Sequence, residues 1–145
     1  MSDPRVFVSY ARADGFELGR ALSERLTHEH GLSVWRDLPG LEGGSDWWRQ
    51  ITETIDRVEY LVLVMTPAAL RSHVVRDEWR YARQRGVCVV PVIGVAALDF
   101  SGLPEWMRRT HFVDPREPEQ WIRFVRTLES PCRRTRVPMM AEPPA

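Results

Sequence analysis

The segment Tyr60-Leu-Val-Leu-Val-Met65 is a run of six apolar residues, and a β-strand without polar alternation is one buried on both faces. Val87–Ile93, which reads VCVVPVI, is a second run of the same kind. Strands of this type belong to sheets covered by helices on both sides, so helical segments should alternate with strands along the chain.

The alternation is present throughout. Arg5–Tyr10 is a β-branched and aromatic run that reads as strand one and closes in the polar turn Ala11-Arg-Ala-Asp14. Asp14 and Glu17 have capping-box spacing, which predicts a helix beginning at Asp14 with Phe16, Leu18, Leu22 and Leu26 as its apolar stripe and Gly31 at C′. Leu32–Arg36 reads as strand two and Asp37–Ser45, with one proline and three glycines, as a loop. Ser45 then caps a helix that carries Trp48, Ile51, Thr52 and Ile55 on one face, with Trp47 directed elsewhere. After strand three, Glu59–Met65, Thr66-Pro67 supplies an N-cap and an N1 proline for a helical region reaching Gly86, with a break at Ser72. Val87–Ile93 is strand four, Gly94–Arg109 is irregular, and Thr110–Val113 reads as a short strand five. A last helix opens near Pro118 and buries Trp121, Phe124, Val125 and Leu128.

This order predicts an α/β fold: a flavodoxin-like parallel five-stranded sheet, order 2-1-3-4-5, with helices on both faces. Residues 1–130 form the domain. Residues 131–145, with four prolines and no period, read as a linker or disordered tail. Ligands in such sheets bind beyond the carboxyl ends of the strands, near the switch between strands one and three. Ser9–Asp14, Asp37–Ser45 and Thr66–Glu78 should therefore surround one cleft.

Composition excludes the usual occupants of that cleft. All 20 basic residues are arginine and lysine is absent, which removes Walker-type phosphate loops, Schiff-base chemistry and a phosphorelay receiver. The G-x-G-x-x-G dinucleotide signature is also missing. Formal net charge is zero, giving no field-level reason to expect nucleic acid or an anionic membrane. No apolar stretch approaches the roughly 20 residues of a membrane span, the N-terminus has no signal-peptide shape, and the cytoplasm is the expected compartment. Two cysteines are too few for a disulfide framework, and Cys88, inside an apolar run, is expected to be a buried thiol. The four histidines lack partners at metal-ligand spacing, so neither a metal nor a cofactor is expected.

Three spaced motifs then converge on one family. Phe7-Val-Ser-Tyr10-Ala-Arg12-Ala-Asp14, Val34-Trp35-Arg36-Asp37-Leu-Pro39-Gly40 with Leu41-x-x-Gly44-x-x-Trp47, and Ser72-x-x-Val75-x-x-Glu78-Trp79 occur in that order. The chain resembles the Toll/interleukin-1 receptor (TIR) domain family over residues 5 to about 129, Leu41-x-x-Gly44-x-x-Trp47 has the spacing common in bacterial members, and the third motif looks like the one whose glutamate is catalytic in members that cleave NAD⁺. The resemblance implies that Glu78 is catalytic. It also implies a substrate cleft containing Ser9, Tyr10, Arg12, Trp35, Asp37, Leu41, Gly44 and Ser72. Enzymatic relatives often carry Trp four residues before the glutamate, where this chain has Val74.

Independent chemistry agrees with a lone carboxylate. Breaking the nicotinamide–ribose bond releases a neutral pyridine from a pyridinium, so no general acid is needed, and one carboxylate can stabilise the positive charge developing on the ribose. What the resemblance implies is an NAD⁺ glycohydrolase, with NAD⁺ as substrate, switched on by self-association through the loop after strand two and acting in bacterial immune defence. A sensor or nucleotide-binding domain in a longer parent protein would control assembly. The alternatives are an adaptor that makes only TIR–TIR contacts and, third, a nucleotide-binding sensor without turnover.

Overall fold

Period-two alternation along the strands sorts their side chains onto two faces, and each face acquires its own helices. A computed structural model describes residues 4–36, 46–95, 98–99, 101–110 and 112–133. Its elements are β1 (Val6–Ser9), α1 (Arg12–His30), β2 (Val34–Arg36), α2 (Asp46–Arg57), β3 (Tyr60–Met65), α3 (Pro67–Arg71), α4 (His73–Gln84), β4 (Cys88–Ile93), α5 (Glu105–Arg108) and α6 (Pro118–Glu129). Val6, Val8, Val62 and Val64 meet Leu22 and Leu26 of α1 and Trp121, Phe124 and Leu128 of α6. Phe7, Leu61, Leu63 and Met65 meet Ile51 and Ile55 of α2, Val75 and Ala82 of α4 and Met107 of α5. Every residue of β1 and β3 is buried, as the apolar run at Tyr60–Met65 predicts.

The sheet has four parallel strands in the order β2-β1-β3-β4, not five. The expected strand at Thr110–Val113 is reduced to a single parallel bridge, Val92↔Val113. Its two hydrogen bonds are Ile93 N–H to Val113 O (2.7 Å) and Val113 N–H to Pro91 O (3.0 Å). Extending the ladder by one rung in either direction would require an N–H on Pro91 or on Pro115, and proline has none. Two prolines thus confine the fifth strand to one residue. Within the segment read as irregular, Glu105–Arg108 forms the short helix α5.

Helix α1 begins at Arg12, two residues before the expected start, and its N-cap Ala11 supplies no side-chain hydrogen bond. Asp14 is engaged elsewhere. Its Oδ1 accepts from the Thr66 hydroxyl at 2.6 Å and its Oδ2 from the Ala68 N–H at 2.9 Å, so the carboxylate serves the N-terminus of α3 across the fold, where the helix dipole favours it. Thr66 Oγ1 in turn accepts from Ala69 N–H. We predict that Asp14→Ala lowers the unfolding free energy by about 1–3 kcal/mol, because it orphans a buried hydroxyl and a helix N–H. Urea unfolding measures this, and an unchanged midpoint would refute the cross-cap. Gly31 ends α1 with φ 67°, as its C′ placement predicts.

The amino edge of the sheet anchors the end of α6. Arg5 donates to the carbonyls of Leu128 and Ser130, Tyr60 Oη donates to Ser130 O at 2.8 Å, and Cys132 N–H donates to Glu59 Oε1 at 3.0 Å. Guanidinium on the last carbonyls of a helix satisfies groups the helix cannot pair itself. Contrary to the expected free thiol, Cys88 is bonded to Cys132 in a disulfide with Cα atoms 5.9 Å apart. Spacing did not reveal the pair because Cys132 lies beyond the last periodic segment, and only the return of α6 to the start of β4 brings it to Cys88.

Candidate functional site

β1 ends at Ser9 and α4 packs against it, and the two elements meet through side chains. The Ser9 hydroxyl donates to Glu78 Oε1 at 2.7 Å. Both residues are almost fully enclosed, Ser9 at 1% exposure and Glu78 at 2%. Burying a carboxylate is costly unless hydrogen bonds or charges compensate it, and the Ser9 hydroxyl supplies one such partner at the carboxyl end of β1.

Glu78 also lines a cavity. A pocket of about 370 Å³ is lined by Glu78 together with Tyr10, Arg12, Trp47, Ser72 and Val74, and closed by the alanines Ala11, Ala13 and Ala68 and by Val75. Ser72 separates α3 from α4, as the expected break predicts, and its hydroxyl accepts from Val75 N–H at 3.1 Å as the N-cap of α4. Glu78 lies on the same helix, just under two turns on, so the cap sets the register that turns its carboxylate inward. Arg12 opens α1 at the mouth. Val74 is 38% exposed there.

Tyr10 contributes to the wall, while its ring is packed into the core at 7% exposure, edge-on to Phe16 with centroids 6.1 Å apart. Gly19 makes room for it: a Cβ on Gly19 would lie 3.0 Å from the ring. Trp35 is not among the cavity-lining residues; it stacks on Phe7, its register partner across β1 and β2, at 4.8 Å. Asp37, Leu41 and Gly44 lie outside the described residues.

Trp47, read from the sequence as directed away from the apolar face of its helix and not among the expected cleft residues, lines the cavity. Its indole N–H is buried and has no hydrogen-bond partner among the described residues, although the ring packs beside Trp48 at 6.3 Å. The signal was its place three residues after Gly44 in the second motif. A buried donor in a cavity wall is a group held ready for an acceptor. Among the described residues no cluster of three or more His, Cys, Asp or Glu could hold a metal ion, and no helix is long and apolar enough to cross a membrane.

Comparison with known proteins identifies the fold. The TIR domain of the Toll-related receptor TRR-2 from Hydra magnipapillata superposes with a TM-score of 0.70 at 15% identity, covering 86% of this chain and 98% of that one. A TIR-STING receptor from C. gigas superposes with a TM-score of 0.64 at 22% identity over 90% of this chain, which spans 43% of the receptor chain. The RPS4 and RRS1 TIR domain heterodimer gives 0.54 at 18% identity, covering 88% of this chain and 96% of that one. No curated protein matches the sequence. The sequence profile of the TIR domain matches residues 6–128, nearly the whole span from β1 to the end of α6, and on that match the chain belongs to the TIR domain family.

Proposed function

We propose that this TIR domain is an NAD⁺ glycohydrolase in which Glu78 is the catalytic carboxylate. The observation that carries the reading is the enclosed Ser9–Glu78 pair, 2.7 Å long, facing a cavity at the carboxyl end of β1. A volume of about 370 Å³ lies at the small end of ligand pockets and suits the nicotinamide riboside half of the dinucleotide.

In the reaction the C1′–N bond breaks with its electron pair passing to the pyridinium nitrogen, so nicotinamide leaves neutral and unprotonated. Positive charge grows on C1′ and the ribose ring oxygen. A carboxylate held in a water-poor wall stabilises that charge more strongly than one in bulk water, and Ser9 orients it by occupying Oε1. Water then adds to C1′ and releases its proton to solvent, giving ADP-ribose, or an adenine nitrogen adds and gives a cyclic isomer. Trp47 N–H and Arg12 supply donors for the substrate's amide, hydroxyl or phosphate oxygens. Tyr10, Trp35, Asp37, Leu41, Gly44 and Ser72 complete the proposed cleft, with Trp35 acting through Phe7 and Ser72 through the α4 cap.

Self-association as the activating step is supported by relatives: the RPS4 and RRS1 TIR domains form a heterodimer, and the Roq1 resistosome contains TIR domains. A cytoplasmic role in bacterial immune defence, under a sensor or nucleotide-binding domain of a parent protein, goes with this reading. A second reading, a TIR–TIR adaptor without chemistry, is favoured by Val74, which leaves the cavity mouth without the aromatic residue that enzymatic relatives often carry there.

The test is to incubate artificially clustered protein with NAD⁺ and follow nicotinamide by chromatography. Turnover by wild type with loss in Glu78→Ala supports the enzyme, whereas no turnover from clustered wild type supports the adaptor. Trp47→Phe keeps an aromatic ring while losing the pyrrole and its N–H, and is expected to raise KM about five- to tenfold with kcat little changed. An unchanged KM would remove Trp47 from the binding set.

A further inference from the structure

On the face of α4 next to that of Glu78 lies a second and larger cavity, of about 650 Å³. Its floor is apolar: Leu63, Met65 and Met107 line it and are each at most 2% exposed. Trp79 forms one wall and is fixed there by edge-to-face packing on Trp106, with centroids 5.3 Å apart. Arg71, Arg76 and Arg80, all exposed, stand around the mouth.

These three arginines have no carboxylate partner among the described residues. Arg76 Nη2 meets His73 Nδ1 at 2.6 Å, and Arg80 lies over the Trp79 ring at 5.8 Å. Other surface arginines differ: Arg20 bridges Glu17 and Glu24, Arg49 bridges Asp46, and Arg109 bridges Glu105. The acidic residue lining the cavity is Asp99, whose Oδ1 already accepts from the N–H and hydroxyl of Ser101. Three guanidinium groups against one engaged carboxylate leave an excess of positive charge above an apolar, aromatic-walled hollow. A carboxylate ligand would neutralise one of them; a phosphomonoester, with close to two negative charges and three acceptor oxygens, matches the set.

We propose that this cavity binds a small organic phosphate bearing a planar ring, of the mononucleotide type, with the ring against Trp79 and the phosphate among Arg71, Arg76 and Arg80. The site is separate from the Glu78 cavity and does not depend on the glycohydrolase reading. The two cavities share Val75 as a wall, so the experiment must tell them apart.

Gly102 permits this. It lines the cavity, a Cβ there meets nothing within 4 Å, and its φ is not in the left-handed region, so Gly102→Glu places a negative charge at this mouth without a clash. Val74→Glu places the same charge at the mouth of the Glu78 cavity on an exposed position. Adenosine 5′-monophosphate is titrated by calorimetry into wild type, Gly102→Glu, Val74→Glu and the double variant Arg76→Gln/Arg80→Gln, with circular dichroism confirming that each is folded. Affinity is expected to fall by about tenfold or more in Gly102→Glu and in the arginine variant, while Val74→Glu leaves it within about twofold. Adenosine should bind about tenfold more weakly than the monophosphate, and inorganic phosphate more weakly still. Absence of binding to wild type overturns the proposal, as does equal affinity in Gly102→Glu or a loss confined to Val74→Glu.

Discussion

Glu78→Gln is expected to lower NAD⁺ cleavage by about 10²–10³-fold while leaving the unfolding free energy equal or higher. The amide has the shape of the carboxylate and retains an oxygen for the Ser9 hydroxyl, which donates to Oε1 at 2.7 Å, so packing is preserved while the charge is removed and the second oxygen is exchanged for an NH₂. That charge is the reactive element in the proposed mechanism. It is also a burden on folding, since a residue at 2% exposure has given up its water, and neutral replacements of buried ions are often neutral or stabilising. Opposite signs for activity and stability distinguish a functional carboxylate from a structural one. If the variant instead unfolds several kcal/mol more easily, Glu78 holds the fold together, and if it turns over NAD⁺ at the wild-type rate, the assignment fails outright. Ser9→Ala serves as a second probe: it should reduce kcat more than it alters KM, because the hydroxyl positions the carboxylate without meeting substrate.

Reduction of the Cys88–Cys132 disulfide is expected to cost about 2–4 kcal/mol of unfolding free energy. The residues are 44 positions apart, so the bond removes a sizeable loop-closure entropy from the unfolded chain, and it encloses β4, α5 and α6 within one covalent loop. Urea unfolding with and without dithiothreitol measures the difference. Cys88→Ser should show the same loss in oxidising buffer and no further loss on adding reductant. Equal midpoints for oxidised and reduced wild type would show that the hydrogen bonds of Arg5, Tyr60 and Cys132 hold this corner unaided.

The outcome of the sequence reading follows the reach of the interactions involved. The central strand β3 was legible because a continuous apolar run depends on nothing beyond itself, whereas the second such run, β4, ends the four-stranded sheet with four of its six residues only half-buried; Thr66, Ser72 and Gly31 were legible because a cap is satisfied within its own helical turn. Asp14 misled for the opposite reason. Its spacing to Glu17 imitates a local cap, yet the carboxylate is used 52 residues away on Thr66. Likewise Pro91 and Pro115 are plain in the sequence, but their effect on strand five depends on the register of a partner that only the fold determines. Ser9 and Glu78, 69 residues apart, were joined in advance only by the motifs of the TIR family. Physical reasoning supplied what a lone carboxylate could do there, and no local pattern announced the arginine-ringed cavity beside α4.

The clamp of Arg5 and Tyr60 on the end of α6 gives the domain a handle and a working end. Arg5, Tyr60, Cys88 and residues 130–133 gather where the strands begin, whereas Ser9, Ser72 and Glu78 gather where they finish, a strand length of roughly 13 Å away for the four residues of β1. A module joined close to residue 133 would therefore be tethered at the rear of the sheet, away from the cleft. Such a tether can bring copies together by their backs, raising local concentration, without a linker crossing the surface on which NAD⁺ would enter.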